Sequence, residues 1–398
     1  MAAVFYYLSE QYDIHVIGIG YRGPDTRVCG VTVHPCNLKG GDMLGLYQAK
    51  EFIEEYRPEL VFLLNDIWVL SRYVDALSPY QGSTRIVCYC PLDGRLLDGS
   101  LVAPFSALAP GGRFVVYTEF ARREVQKMVE GIPFPPVEVI PHGVDTEAFY
   151  PLAGSIQGQL ERVGRLAAKR LLFPGESDLE DSFVVLNANR AQPRKRIDLT
   201  LRGFAMFAKD KPTGVKLVLH HAVAFGEERA DVARQAEALG ITGRVTVGPA
   251  EGGTSDEALN LIYNACDVGI NTSMGEGWGL VSFEHAATGA AQVVPRHSAC
   301  AELWDGAAEL VEPVAAYVPD FGMLEMQEVA PEGVAAALER LYADRSYRRD
   351  MSVKAYHTAT QPAYRWGRIA AQWSQLFDEV EAGRTFPSTP EYQTREQP

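Results

Sequence analysis

Residues 268–284 read Val268-Gly269-Ile270-Asn271-Thr272-Ser273-Met274-Gly275-Glu276-Gly277-Trp278-Gly279-Leu280-Val281-Ser282-Phe283-Glu284. A short apolar run ends at Asn271, a glycine-rich loop follows, and a helical pattern opens after Gly279. Strand, short loop and helix in that order form the repeating unit of a parallel sheet covered by helices. Glycines at 275, 277 and 279 let the backbone come close to a ligand. The free amides of Gly279, Leu280 and Val281 at a helix start make an anion site. Glu276 stands in the loop before this cradle, and Glu284 stands about one turn into the helix. A plainer alternative keeps Glu276 as a turn residue and Glu284 as a solvated helix carboxylate.

The same alternation extends in both directions. Strands are predicted at Asp13–Ile19, Leu60–Leu64, Arg85–Tyr89, Arg113–Tyr117 and Val137–Ile140, and again at Phe183–Asn187, Val215–His220, Arg244–Val247, Val268–Asn271, Ala291–Val294 and Ala308–Leu310. Helical patterns fall between them at 45–56, 121–130, 197–208, 229–238, 255–266 and 281–288. Two such series predict an α/β protein of two doubly wound, Rossmann-like domains, with the break near residues 142–182. Residues 1–12 carry a helical pattern, so the N-terminal domain is expected to lack its first strand. Gly18-Ile19-Gly20-Tyr21-Arg22-Gly23 spells GxGxxG, but a loop and another short strand follow instead of the helix a dinucleotide site needs.

A second loop after a strand reads Asn187-Ala188-Asn189-Arg190-Ala191-Gln192-Pro193-Arg194-Lys195-Arg196-Ile197-Asp198. Arg190, Arg194, Lys195 and Arg196 concentrate positive charge in an acidic chain. Arginine forks two phosphate oxygens and lysine acts as a point charge. In a parallel sheet both loops lie at the carboxyl ends of strands, where ligands bind. Cations on one loop, an amide cradle on the other and carboxylates on both sides of it suit a diphosphate flanked by hydroxyls. A nucleotide sugar is such a ligand.

Composition narrows the partners. The 398 residues carry a net charge of −14 with a sequence pI of about 5.1, and both halves are acidic. That argues against nucleic acid or an anionic membrane as a broad-surface partner. At 47% hydrophobic and 22% charged the chain can bury a sizeable core. The six cysteines, Cys29, Cys36, Cys88, Cys90, Cys266 and Cys300, are scattered without a CxxC pair. They read as reduced thiols, and the expected compartment is the cytoplasm. No apolar run reaches the length of a membrane span, and no signal peptide is visible.

Glu276 and Glu284 form Glu-x7-Glu within Glu-Gly-Trp-Gly-Leu, Arg190 and Lys195 stand five apart with Asp198 three further on, and His142-Gly143-Val144-Asp145 leads into Phe149-Tyr150-Pro151. These residues resemble the retaining glycosyltransferases of family four, the glycosyl transferases group 1, which have the GT-B fold. The resemblance covers most of residues 13–380 and is stronger in the C-terminal half. It implies that Arg190 and Lys195 hold the donor diphosphate and that Glu284 binds ribose. Glu276 would contact the donor sugar, and Gly275, Gly277, Trp278, Gly279 and Leu280 would form the amide cradle. Ser273 matches a serine three residues before the first glutamate. Glu302 matches a family glutamate, and the Gly248–Gly253 loop lies where the nucleobase binds. The family's N-terminal histidine has no counterpart here. Asp93, in Tyr89-Cys90-Pro91-Leu92-Asp93-Gly94, is the polar candidate for the acceptor side, and Asn65-Asp66 also ends a strand on the cleft edge.

The implied organisation is an acceptor domain at 1–150, a donor domain at 151–363, a returning helix at 364–384 and a disordered tail at 385–398. The implied reaction moves a sugar from a GDP- or UDP-linked donor to a hydroxyl of a glycan, lipid-linked or small-molecule acceptor. It retains the anomeric configuration and needs neither metal nor cofactor. The alternative is a non-catalytic nucleotide-sugar-binding protein of this fold that has lost its acceptor side.

Overall fold

A computed structural model of the chain describes residues 2–36, 42, 44–108, 111–154, 156, 159–220, 226–248, 254–319 and 324–383. The expected tail, His221 and most of the Gly248–Gly253 loop lie outside the described residues.

The N-terminal part opens with helix α1 (Ala2–Leu8), then strands β1 (His15–Ile19), β2 (Thr26–Val28) and β3 (Val31–Cys36). Helix α2 (Leu46–Tyr56), strand β4 (Leu60–Leu64), helix α3 (Ile67–Leu77), strand β5 (Arg85–Cys90), the two-residue strand β6 (Arg95–Leu96), strand β7 (Arg113–Val116), helix α4 (Glu119–Met128) and strand β8 (Val137–Val139) follow. The sheet of this part is in two pieces. One has the order β1-β3-β2, with β1 and β3 parallel, and the other has β4-β5-β7-β8, parallel throughout. The glycine-rich stretch at 18–23 leads into β2, with no helix after it.

The second part begins with helix α5 (Gln159–Leu172), strand β9 (Phe183–Asn187), helix α6 (Ile197–Ala208), strand β10 (Val215–Leu219), helix α7 (Gly226–Ala238) and strand β11 (Val245–Val247). Helix α8 (Asp256–Ala265), strand β12 (Val268–Ile270), helix α9 (Leu280–Ala287), strand β13 (Ala291–Pro295), helix α10 (Ser298–Leu303) and strand β14 (Glu309–Val311) complete its sheet. The order is β11-β10-β9-β12-β13-β14, parallel throughout. Strands β9, β12 and β13 are buried along their whole length. Their unbroken apolar runs reflect a sheet covered by helices on both faces. The strand order reverses between β9 and β12, so the loops leaving these two parallel strands border the crevice where ligands bind in such sheets.

Several features were not anticipated from sequence. Strand β3 is one, and the helices α3, α11 (Pro331–Ala343) and α12 (Arg345–Ala359) are others. The last is a small sheet of strands β15 (Pro313–Tyr317), β16 (Leu324–Val329) and β6, antiparallel, which joins the two halves across the cleft. The last helix, α13 (Trp366–Glu381), returns to the N-terminal sheet. There Trp373 is fully buried, with its ring edge-on to Phe62 at 4.9 Å and to Tyr89 at 4.8 Å.

Candidate active site

The β9 loop passes through a short 3-10 turn, Pro193–Lys195, and enters α6 through Arg196 at φ 47°. A left-handed arginine is strained. Two ion pairs hold its side chain, to Asp198 at 2.8 Å and to Glu328 on β16, and Thr272 Oγ1 donates to its carbonyl at 2.9 Å. The four cations of this loop therefore separate. Arg196 is locked in ion pairs, Arg190 is exposed, and Arg194 and Lys195 turn toward the β12 loop.

The β12 loop is buried from Asn271 to Trp278. Gly279 takes φ 90° ahead of α9, a conformation that costs a residue with a Cβ dearly. Gly275 lies so close to the Asp93 carbonyl that a Cβ would collide with it. Within this loop Asn271 Nδ2 donates to Glu276 Oε1 at 3.0 Å, Asn271 Oδ1 accepts from the Ser273 amide at 2.9 Å, and Ser273 Oγ donates to the Gly275 carbonyl at 2.8 Å.

Glu276, only 4% exposed, is the electrostatic centre. Lys195 Nζ forms a close ion pair with Glu276 Oε1, and Arg194 lies 3.7 Å from its other oxygen. Burial pushes this carboxyl up, but Lys195 and Arg194 outweigh burial and hold it below its ordinary value. Asp93, from the loop after β5, reaches across the cleft. Its Oδ1 accepts from the Gly277 amide at 2.8 Å and its Oδ2 lies 3.4 Å from Arg194. Burial raises the Asp93 carboxyl, Arg194 opposes that, and Glu276 adds to it. Asp66, at the end of β4, is also raised by burial and lowered by Arg194 and Arg190. Both N-terminal carboxylates thus face the cationic loop of the C-terminal half.

Glu284 stands apart from this cluster, one helical turn on. Tyr263 donates to its Oε2 at 2.8 Å, and burial pushes its carboxyl up to about 7. The Trp278 side chain packs inward, stacked on Phe283 at 4.7 Å and edge-on to Tyr364 at 5.0 Å. Only its backbone is available to the loop's inner surface, while Leu280 is 39% exposed. Glu302 sits elsewhere. Its oxygens accept from the amides of Glu119 at 3.0 Å and Phe120 at 2.5 Å, so it caps α4 of the other half. His142, at the crossing between halves, lies edge-on to Trp366 at 4.8 Å, and burial lowers its imidazole to about 4.

Sequence reading therefore located the two loops, and the structure brings Glu276, Lys195, Ser273, Gly275, Gly277 and Asp93 into one cluster. Arg190 stays exposed beside it. Arg194, Asn271 and Tyr263 are contacts that spacing alone did not single out, although Arg194 directly precedes Lys195. Among the described residues no group of three or more His, Cys, Asp or Glu could hold a metal ion, and no helix is long and apolar enough to cross a membrane.

The family model described as glycosyl transferases group 1 matches residues 170–358. The chain is 31% identical over 156 residues to a D-inositol 3-phosphate glycosyltransferase of Segniliparus rotundus, covering 38% of this chain and 30% of that protein. It is 27% identical over 168 residues to a mannosylfructose-phosphate synthase of Agrobacterium fabrum, covering 40% of this chain and 33% of that protein. The match thus spans about a third of the length of these curated relatives. A solved sucrose-phosphate synthase of Thermosynechococcus elongatus superposes with a TM-score of 0.72 at 17% identity, over 96% of this chain and 92% of that one. The chain has the GT-B fold, and its residues 170–358 match the family model of the glycosyl transferases group 1.

Proposed function

We propose that the cleft transfers a sugar from a nucleoside-diphosphate donor, GDP- or UDP-linked, to an acceptor hydroxyl with retention at the anomeric carbon and without a metal. The observation that carries this reading is the convergence of Arg194, Lys195, Glu276 and the Gly277 amide at the switch between β9 and β12, with Asp93 facing them from the other half.

In this reading the bond from the anomeric carbon to the donor phosphate oxygen breaks while the bond to the acceptor oxygen forms on the same face. The acceptor proton passes to the departing phosphate oxygen. Negative charge grows on the diphosphate, and Lys195, Arg190, Arg194 and the amides of Gly279 and Leu280 are the groups placed to stabilise it. Each charged contact of this kind is worth about 2–4 kcal/mol of barrier. Protein cations take the part a divalent ion plays in other transferases. Glu276 holds hydroxyls of the donor sugar, Glu284 holds the ribose, and Asp93 orients the acceptor hydroxyl. The names of the two relatives and of the solved synthase all contain a phosphorylated small molecule. They favour a small, phosphorylated acceptor over a glycan or lipid-linked one.

A second reading is a nucleotide-sugar binder that does not transfer. The division of the N-terminal sheet between β1 and β4 favours it. Thermal unfolding of the protein with GDP, UDP and ADP and their sugars, in chelator, tests donor binding, because a ligand of the native state raises the midpoint. A rise for one nucleotide that Glu284→Ala abolishes supports the site. No rise for any of them overturns it.

A further inference from the structure

Strand β13 leads through Arg296 and His297 into α10, which opens with Ser298 at φ 45°. That is left-handed backbone, which glycine takes freely and a residue with a Cβ takes at a cost. A non-glycine residue held there points to something its side chain does. What serine adds over glycine at this position is one hydroxyl.

The hydroxyl goes to Glu276. Ser298 Oγ accepts from the Glu276 amide at 3.2 Å, and the next amide, that of Ala299, donates to the Glu276 carbonyl at 3.3 Å. Two adjacent residues thus take both backbone polar groups of the buried glutamate. The peptide planes on either side of Glu276 are each held at both ends. The plane from Gly275 is held at its carbonyl by Ser273 Oγ and Arg194, and at its amide by Ser298. The plane to Gly277 is held at its carbonyl by Ala299 and at its amide by Asp93. Removing the Ser298 hydroxyl frees the amide end of the first plane and lets it turn about its tied carbonyl.

His297 in turn holds the hydroxyl, with Nδ1 at 3.1 Å from Ser298 Oγ. Burial pushes the imidazole down to about 4, opposed by the Ser273 carbonyl, so the ring is neutral at pH 7. A neutral imidazole accepts at one nitrogen. With Nδ1 accepting, the hydroxyl donates to the ring and keeps its lone pairs for the Glu276 amide. The Glu276 carboxylate itself is tied by Lys195, Arg194 and Asn271. In the proposed reaction the two cations turn to the donor diphosphate, so these contacts change as donor binds, whereas the backbone contacts stay.

We infer that Ser298 is a positioning residue: its hydroxyl fixes the peptide ahead of Glu276 and so aims that carboxylate at the donor sugar. The inference rests on the reading of Glu276 as the sugar-binding carboxylate.

Calorimetric titration of the full chain with UDP, UDP-glucose, GDP and GDP-mannose tests it, comparing wild type with Ser298→Gly and Ser298→Thr. Glycine relieves the backbone and removes the hydroxyl. Threonine keeps the hydroxyl and, being β-branched, strains the backbone further. Ser298→Gly should bind the nucleotide sugar about tenfold or more weakly and the nucleoside diphosphate within about twofold of wild type, since only the sugar contact is misplaced. Ser298→Thr should keep the wild-type ratio of the two affinities and unfold at a lower temperature than Ser298→Gly. Sugar affinity would then run opposite to stability, which a merely structural serine does not produce. An unchanged sugar affinity in Ser298→Gly, or an equal loss of nucleotide and nucleotide sugar, would overturn the inference and leave the donor site standing. A folded Ser298→Thr that loses sugar affinity as glycine does would also overturn it. If Ser298→Thr does not fold, the glycine variant decides alone. Wild-type protein that binds none of the four would contradict the donor reading itself, and the inference with it.

Discussion

The Asp93 carboxylate accepts a hydrogen bond from the backbone amide of Gly277 at 2.8 Å, so a side chain from one half of the molecule occupies an amide of the other half's glycine-rich loop. Its second oxygen faces Arg194 at 3.4 Å. Asp93→Ala leaves that amide without its partner and removes one of two carboxylates beside Arg194. A buried donor without a partner costs about 1–3 kcal/mol. We expect a loss of stability in that range by urea unfolding, together with a fall in kcat larger than any rise in KM for the donor.

Lys195 and Glu276 stabilise one another inside the protein, so single substitutions confuse catalysis with folding. Lys195→Ala strands a buried carboxylate and is expected to cost about 3–5 kcal/mol. Lys195→Met combined with Glu276→Gln removes both charges and should recover most of that stability. Transfer activity should stay lost in the double variant. Recovery of activity would remove both residues from the proposed chemistry.

Glu284 gives the protein a pH signature. Burial raises its carboxyl from an ordinary 4.5 to about 7, against the hydrogen bond from Tyr263. The folded protein holds a proton that the unfolded chain releases near 4.5. The stabilising contribution is therefore full below that pH and is lost as pH rises through about 7. Glu284→Gln should flatten the decline in unfolding free energy between pH 5 and 7, and denaturant titrations at several pH values would measure it. A slope that this substitution leaves unchanged would mean that Glu284 is ionised in the fold.

The small sheet of β15, β16 and β6 ties the halves together at the cleft. Arg95 of β6 pairs with Glu325 of β16 at 2.8 Å, and a Cβ on Gly94 would press against the Glu325 carbonyl. Gly94→Val should open this contact. Small-angle scattering should then report a larger radius of gyration, and kcat should fall because Asp93, the next residue, moves with the loop.

The doubly wound second half is legible in the sequence because β9, β12 and β13 are short apolar runs ending in loops rich in glycine or basic residues. Burial on both faces imposes that pattern locally. The bridging sheet is not legible, because β6 is only Arg95 and Leu96 and exists through its pairing with residues more than 200 positions away. The same holds inside the site. Spacing identifies Glu276 and Glu284, but it does not say which of four adjacent cations turns inward. That is decided by the positive φ of Arg196 and its ion pair with Glu328, a residue of the unanticipated strand β16. The inward turn of the Trp278 ring is likewise set by Phe283 and Tyr364, the latter far along the chain.

The measurement that bears most directly on the proposed reaction is proton NMR of a transfer mixture in EDTA, using the nucleotide sugar that stabilises the protein and a panel of sugar and polyol phosphates as acceptors. Retention predicts a new α-anomeric signal from an α-linked donor, formed at an undiminished rate in chelator and absent with Asp93→Ala. A β-anomeric product, or donor binding without transfer to any acceptor, would contradict it.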